Sequence, residues 1–281
     1  GHGAGASLTA RASLVLRLMF RFVPCLAVLA LCAAAARAGP LGDWHPDAES
    51  LCLVAPYDQA GHQAQADLVA LLAAIEALDP APDPLLAVLR RTGAAICVED
   101  RPTTVRGAYN VDSNLIELRA DLDFGERLLI LIHELRHLDQ YDHGFCPSTD
   151  FDLREIQRFT FMVEADAQAI ATYYAWMLRQ AGRTEAWDAI ARLKEYADIG
   201  DVFADSIARG DAPVVAVGAA FDAWFTSPWR VETYRMSSCT AYLDRLDDSK
   251  RIRSYALLPE DYFTPLCRLP DGMPYPCAAP E

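Results

Sequence analysis

Apolar positions change their spacing several times along this chain, and each change marks an element. From Gln63 to Leu78 they recur at Leu68, Leu71, Leu72, Ile75 and Leu78, the intervals of an amphipathic helix. Asp79-Pro80-Ala81-Pro82-Asp83-Pro84 ends it as a stiff connector, and a second helix is expected over Leu85–Arg91, stopping at Gly93. The period then shortens. Ala95–Glu99, Val105–Tyr109 and Asn114–Leu118 read as short strands, with Asp112-Ser113-Asn114 as the turn between the last two. Leu128–His143 follows, apolar nearly all round from Leu128 to Ile132, as suits a helix inside a domain. Asp121 or Asp123 can cap its start, with Glu126 in the first turn, and Gly144 can end it. A long helix is expected from about Leu153 to Gln180, opened by a capping-box-like Asp152-Leu153-Arg154-Glu155 and closed at Gly182. Thr184–Ala197, Ala212–Phe225 and Arg230–Leu246 read as three further helices, punctuated at Gly200, Gly210 and Pro228. The pattern predicts an α+β fold: a small antiparallel or mixed sheet on a buried helix, with a mostly helical C-terminal part.

The buried helix carries chemistry. His133-Glu134-Leu135-Arg136-His137 is an H-E-x-x-H sequence. Helical residues four apart differ by about 40° in bearing and about 6 Å in height. Both imidazoles therefore leave one face, and both can place a ring nitrogen on one Zn²⁺. Glu134, about 100° around from His133, can reach a water at the metal without becoming a ligand. Two imidazoles, an open position and a carboxylate are the parts that metal-assisted hydrolysis uses.

A catalytic zinc normally takes a third protein ligand, and two residues compete for the place. His143 lies ten residues after His133, the spacing of H-E-x-x-H-x-x-G-x-x-H. However, Gln140 stands where the glycine would turn the chain. On a continuous helix His143 points about 120° away from His137 and suits the negative end of the helix dipole. Glu164 is the preferred candidate. It sits among alanines on the long helix, which the connection 144–151 lets fold back antiparallel over the motif. Asp166, about 160° from Glu164 on that helix, is expected to cap or pair elsewhere. Tyr173, Arg230 and Tyr234 are candidate donors toward an oxyanion. Asn114–Leu118 is a candidate edge strand for an extended peptide, while His45 and His62 read as surface or packing histidines.

The order of short strands, H-E-L-R-H helix and helix bearing E-A-D-A resembles the zincin-like metallopeptidases of the gluzincin type, over roughly Ala95–Gly182. The resemblance implies a zincin-like fold and one Zn²⁺ per chain held by His133, His137 and Glu164. It further implies Glu134 as general base and a peptide or protein substrate. The usual gluzincin pattern places an Asp four residues after the ligand Glu, and this chain has Gln168 there. Two other readings stay open: an exported, disulfide-stabilised binding protein with a structural or vestigial metal site, and a zinc amidase acting on cell-wall material.

Composition adds the compartment. Residues 1–38 read as a scar plus signal peptide: arginines precede the apolar run Phe22–Ala36, and Ala36-Arg37-Ala38 forms a cleavage pattern. The run is too short for a spanning helix, so a periplasmic or secreted product is expected, with no stable membrane insertion once the leader is gone. Six cysteines follow the leader, and the expected pairs are Cys52–Cys97, Cys146–Cys239 and Cys267–Cys277. Residues 39–200 are expected to form the catalytic domain. Residues 201–281 would form a helical extension whose proline-rich tail is pinned by a disulfide rather than by core burial. The net charge of −14 includes the basic leader, so the remainder is more acidic still, and nucleic acid is excluded as a partner.

Overall fold

The computed structural model describes residues 48–78, 83–101 and 103–278. The expected leader, His45 and most of the proline connector lie outside them. The described chain runs α1 (Ala48–Leu51), β1 (Cys52–Leu53), α2 (Gln63–Glu76), α3 (Pro84–Thr92) and β2 (Ala95–Glu99). It continues through β3 (Gly107–Asn110), β4 (Leu115–Arg119), α4 (Phe124–Asp142) and α5 (Leu153–Gln180). The last helices are α6 (Glu185–Arg192), α7 (Ala197–Ala208), α8 (Pro213–Trp224) and α9 (Pro228–Asp248). This is a mixed α+β structure, mostly helical, with a small four-stranded sheet.

The sheet is mixed, in the order β1-β2-β4-β3. β2 and β4 run parallel, while β1 pairs antiparallel with β2 and β3 antiparallel with β4. The expected substrate strand, Asn114–Leu118, corresponds to β4, which has a neighbour on each side and no free edge. The chain passes outward before it returns, so β3 takes the rim. Arg119 N–H donates to Arg106 O at 2.9 Å. By the alternation of an antiparallel ladder, Gly107 and Tyr109 therefore turn their backbone N–H and C=O groups to the open side. A Cβ on Gly107 would lie 2.4 Å from Ile130 Cγ2, so only glycine lets this strand lie so close on α4.

Helix α4 is the centre of the packing. Asp123 caps it, its carboxylate accepting from the Glu126 N–H while Glu126 accepts from the Asp123 N–H. Leu128 to Ile132 are all buried, and α3, α5, α6, β3 and β4 pack around the helix. Helix α5 packs against it, and α8 and α9 pack on α5.

Two expectations from the helical pattern need correction. Thr184–Ala197 is not one helix: α6 ends at Arg192, Leu193 is extended, and α7 follows. Gly200 lies inside α7 rather than ending a helix, because a Cβ there would meet Ile190 Cγ2 at 2.5 Å. The tail, meanwhile, is not held by its disulfide alone. Leu258, Phe263, Leu266, Leu269 and Tyr275 are all buried in the core.

The cysteine pairs divide. Cys52 and Cys97 face one another across β1 and β2 and are bonded, and Cys267 is bonded to Cys277. The expected Cys146–Cys239 pair does not form: Cys146 is disulfide-bonded, but Cys239 is a free thiol. On α9 the buried positions are Arg230, Ser238 and Tyr242, and Cys239 is turned about 100° from its neighbour Ser238. Among the described residues no helix is long and apolar enough to cross a membrane.

Candidate metal centre

The fold brings His133, His137 and Glu164 together. Helix α4 sets the two rings one turn apart and nearly perpendicular, at 82°, with their Nε2 atoms 3.0 Å from each other. Glu164 reaches across from α5, placing Oε2 3.5 Å from His133 Nε2 and Oε1 3.5 Å from His137 Nε2. All three ligand atoms lie within 4.8 Å of one another. Donors about 2.0–2.2 Å from one tetrahedral ion would stand roughly 3.3–3.5 Å apart. The observed triangle is close to that size. Two buried imidazole nitrogens at 3.0 Å cannot both carry a proton, and with a carboxylate they form a donor set that a divalent cation satisfies.

The electrostatics follow from burial and crowding. Burial pushes the Glu134 carboxyl above its ordinary value, against the pull of His133 and His137, and Glu164 adds to the rise. The Tyr109 backbone, on the open side of β3, is close enough to Glu134 to oppose that rise slightly. Burial also opposes ionisation of Glu164, yet His137 and His133 outweigh it and hold that carboxyl well below the usual range. His137 shows the converse: burial disfavours its charge, but Glu164 above all raises it to about 9. The pocket between the two acids thus favours a cation.

Behind the metal-facing side lies a buried polar network. His137 Nδ1 meets Gln140 Oε1 at 2.8 Å, and Gln140 Nε2 donates to Val163 O and Asp166 Oδ2 at 2.9 and 2.7 Å. Asp166, instead of facing the triangle, accepts two bonds from Arg136 and one from the Tyr275 hydroxyl. Arg136 also donates to Asp139 and to Leu266 O. In the sequence Gln140 registered only as a missing glycine, and nothing marked Leu266 or Tyr275, which come from the tail. On the other ring of the pair, His133 Nδ1 is buried without a partner, as are both amide atoms of Gln168.

The remaining candidates separate by position. His143 does not join the triangle; it caps the end of α4, largely exposed, with Nδ1–H donated to Asp139 O at 2.8 Å. Arg230 is buried and held through both terminal nitrogens, which donate to Ala223 O, Trp224 O, Glu195 O and Asp198, while its Nε has no partner. Its guanidinium holds α7, α8 and α9 together and is not free to meet an oxyanion. Tyr173 stacks on Trp176. Tyr234 is the candidate donor at the centre: burial, and then the neighbouring Glu164 carboxylate, push its phenol well above 10. Tyr196, unremarked in the sequence, is likewise raised by burial and then by Glu164 and Glu134. His62 is an exposed N-cap of α2.

Comparison with known proteins gives a family and no individual relative. A family model described as "Putative metallopeptidase family (DUF6782)" matches residues 45–277. No curated protein and no solved structure matches the chain. The match takes in the sheet, the H-E-x-x-H helix, Glu164 and the disulfide-closed tail. Since it spans most of the chain, the protein belongs to the family so described.

Proposed function

We propose that this protein is a zincin-like, zinc-dependent metallopeptidase of the gluzincin type, with His133, His137 and Glu164 as metal ligands and Glu134 as general base. The observation that carries this reading is the triangle of three donors, 3.0, 3.5 and 3.5 Å on its sides, beside a carboxyl whose pKa is raised. When bound, Zn²⁺ supplies Lewis acidity that acidifies water and polarises a carbonyl. Glu134 takes a proton from the attacking water and passes it to the leaving amine, so that one water and one peptide bond become an acid and an amine. A raised carboxyl pKa suits both halves of that transfer. Tyr234, whose phenol lies beside Glu164, is the nearby hydroxyl suited to a developing oxyanion.

The open edge of β3, rather than β4, is the strand that an extended peptide would pair with, since Gly107 and Tyr109 turn their backbone groups outward. Disulfides at Cys52–Cys97 and Cys267–Cys277 fit the oxidising compartment of a periplasmic or secreted protein. The test compares the protein with Glu134→Gln. Both are expected to hold one zinc per chain, and chelator-sensitive peptide hydrolysis is expected from the parent alone. Hydrolysis that persists in Glu134→Gln, or a parent that binds no zinc, overturns the reading.

A further inference from the structure

His137 is held from behind by a line of side chains that ends in a distant part of the sequence. The line begins at Gln140. Its Nε2 faces two acceptors, Val163 O at 2.9 Å and Asp166 Oδ2 at 2.7 Å. Both amide protons are spent there, and a flipped amide would aim its oxygen at two other oxygens. Oε1 must therefore face His137 Nδ1, 2.8 Å away. An amide oxygen only accepts, so Nδ1 is always protonated, and in the neutral ring it is Nε2 that turns its lone pair toward His133 and Glu164. The tautomer and the aim of His137 are thus set by what Gln140 bonds to.

Asp166 holds Gln140 in place, and the tail holds Asp166. The carboxylate is fully buried. Arg136 Nε reaches Oδ2 at 2.7 Å and Arg136 Nη2 reaches Oδ1 at 3.0 Å, while the Tyr275 hydroxyl donates to Oδ1. Arg136 Nη2 is in turn fixed by Leu266 O at 2.7 Å. Leu266 and Tyr275 bracket one small loop, closed by the Cys267–Cys277 bond and by Tyr275 N–H donating to Cys267 O at 3.1 Å. This loop also roofs a cavity of about 340 Å³ whose wall includes Arg136, Asp139 and Gln140. The network therefore has room to rearrange if the loop's hydroxyl is withdrawn.

We propose that Gln140 is the positioning residue for His137, and that the Cys267–Cys277 loop is part of the metal site's support, fixing Gln140 through Tyr275 and Asp166. The proposal rests on the reading of His133, His137 and Glu164 as metal ligands. It does not depend on which peptide is cleaved.

The test is zinc affinity, measured by competition with a chelator, together with the visible spectrum of the cobalt-loaded protein. Gln140→Leu removes both ends of the amide, and an affinity loss of about 10- to 100-fold is expected, the usual effect of removing a partner behind a metal ligand. Tyr275→Phe removes one oxygen and keeps the ring against Phe221, so a smaller loss in the same direction is expected, with a shifted cobalt spectrum. Tyr57→Phe is the control: it removes a buried hydroxyl bonded to Leu89 O and Ala94 O, remote from this network, and is expected to leave both readouts unchanged. If Gln140→Leu does not fold by circular dichroism, Tyr275→Phe decides. A parent that binds zinc tightly, with Tyr275→Phe matching it in affinity and spectrum, overturns the proposal. A parent that binds no zinc removes the reading beneath it, and the proposal falls as well.

Discussion

His133 and His137 turn their Nε2 atoms to within 3.0 Å of each other, and Glu164 closes the third side at 3.5 Å from each. Without a shared cation, the proton that Glu164 favours on His137 has to take its place in this buried cluster. Metal binding to the folded chain should therefore show directly in stability. At a free zinc concentration about 1,000 times Kd the linkage is worth roughly 4 kcal/mol. For a chain of this size that corresponds to on the order of 10 °C in Tm. Differential scanning fluorimetry with and without chelator measures it. Glu164→Gln should shrink the shift, whereas His143→Gln should leave it intact because His143 lies outside the triangle. A full zinc shift in Glu164→Gln would remove Glu164 from the ligand set.

Gly107 ties the rim of the sheet to the motif helix. A methyl group there would lie 2.4 Å from Ile130 Cγ2 and 3.1 Å from Glu117 O, and neither the strand nor the helix can yield cheaply. Gly107→Ala is expected to cost about 1–3 kcal/mol, the usual penalty of overpacking. Ile130→Ala removes the Cγ2 on the other side of the clash. The double variant should recover part of that loss, giving a coupling that urea denaturation of the two singles and the double resolves. Independent, additive costs would show that the strand does not rest on Ile130.

The two mapped disulfides should fail in different ways. Cys52–Cys97 spans a sequence separation of 45 and Cys267–Cys277 a separation of 10. In the chain-entropy model these restrict the unfolded state by about 4 and about 2.7 kcal/mol. Replacing the first pair by alanine should therefore cost more stability and leave zinc affinity alone, since it joins β1 to β2 on the side away from α4. Replacing the second should cost less stability but weaken zinc, because Leu266 and Tyr275 lose their shared frame. Urea midpoints and chelator competition on the same two variants check the crossing. A common ranking in both measurements would contradict it.

These cases also show which parts of the fold were legible from sequence. Local signals served well: Asp123 with Glu126 capped the motif helix, Gly93 closed α3 in a left-handed conformation, and the long helix ran from Leu153 to Gln180 as its pattern indicated. His133, His137 and Glu164 could be set side by side because helix periodicity and one return of the chain fix their relation. What was missed depends on contacts between distant segments. Gly200 looks like a stop until Ile190 is seen against it. Asn114–Leu118 looks like a rim until β3 is found outside it. Tyr275 lies 109 residues from Asp166, and no spacing rule connects them. Cysteine pairing failed for the same reason at Cys239, whose face on α9 depends on which side of that helix is buried.

Acid should release the segment that follows α9 before it unfolds the core. Arg251 pairs with Asp150 and Arg253 with Asp152, while Ser254 Oγ donates to Asp150 O and Asp152 N–H to Ala256 O. Hydrogen bonds from the Arg251 side chain, and from the Arg253 side chain, hold Asp150 and Asp152 below the ordinary carboxylate value of 3.8. Because the folded-state values are lowered, the stabilisation is complete above the unfolded value of about 3.9. It is lost as pH falls through the lower folded values. Arg251, Asp150 and Arg253 are about half exposed and only Asp152 is covered, so solvent screens both pairs and each adds a modest stabilisation. Its loss is enough to loosen a segment that already exposes Ile252, Tyr255 and Leu257. Hydrogen exchange over residues 249–258 should therefore rise between pH 5 and pH 2.5, after correction for the intrinsic rate, while α4 stays protected. Arg253→Met should show the loosened state already at neutral pH. Equal protection of that segment at both pH values would mean that its buried Leu258, rather than the two ion pairs, holds it in place.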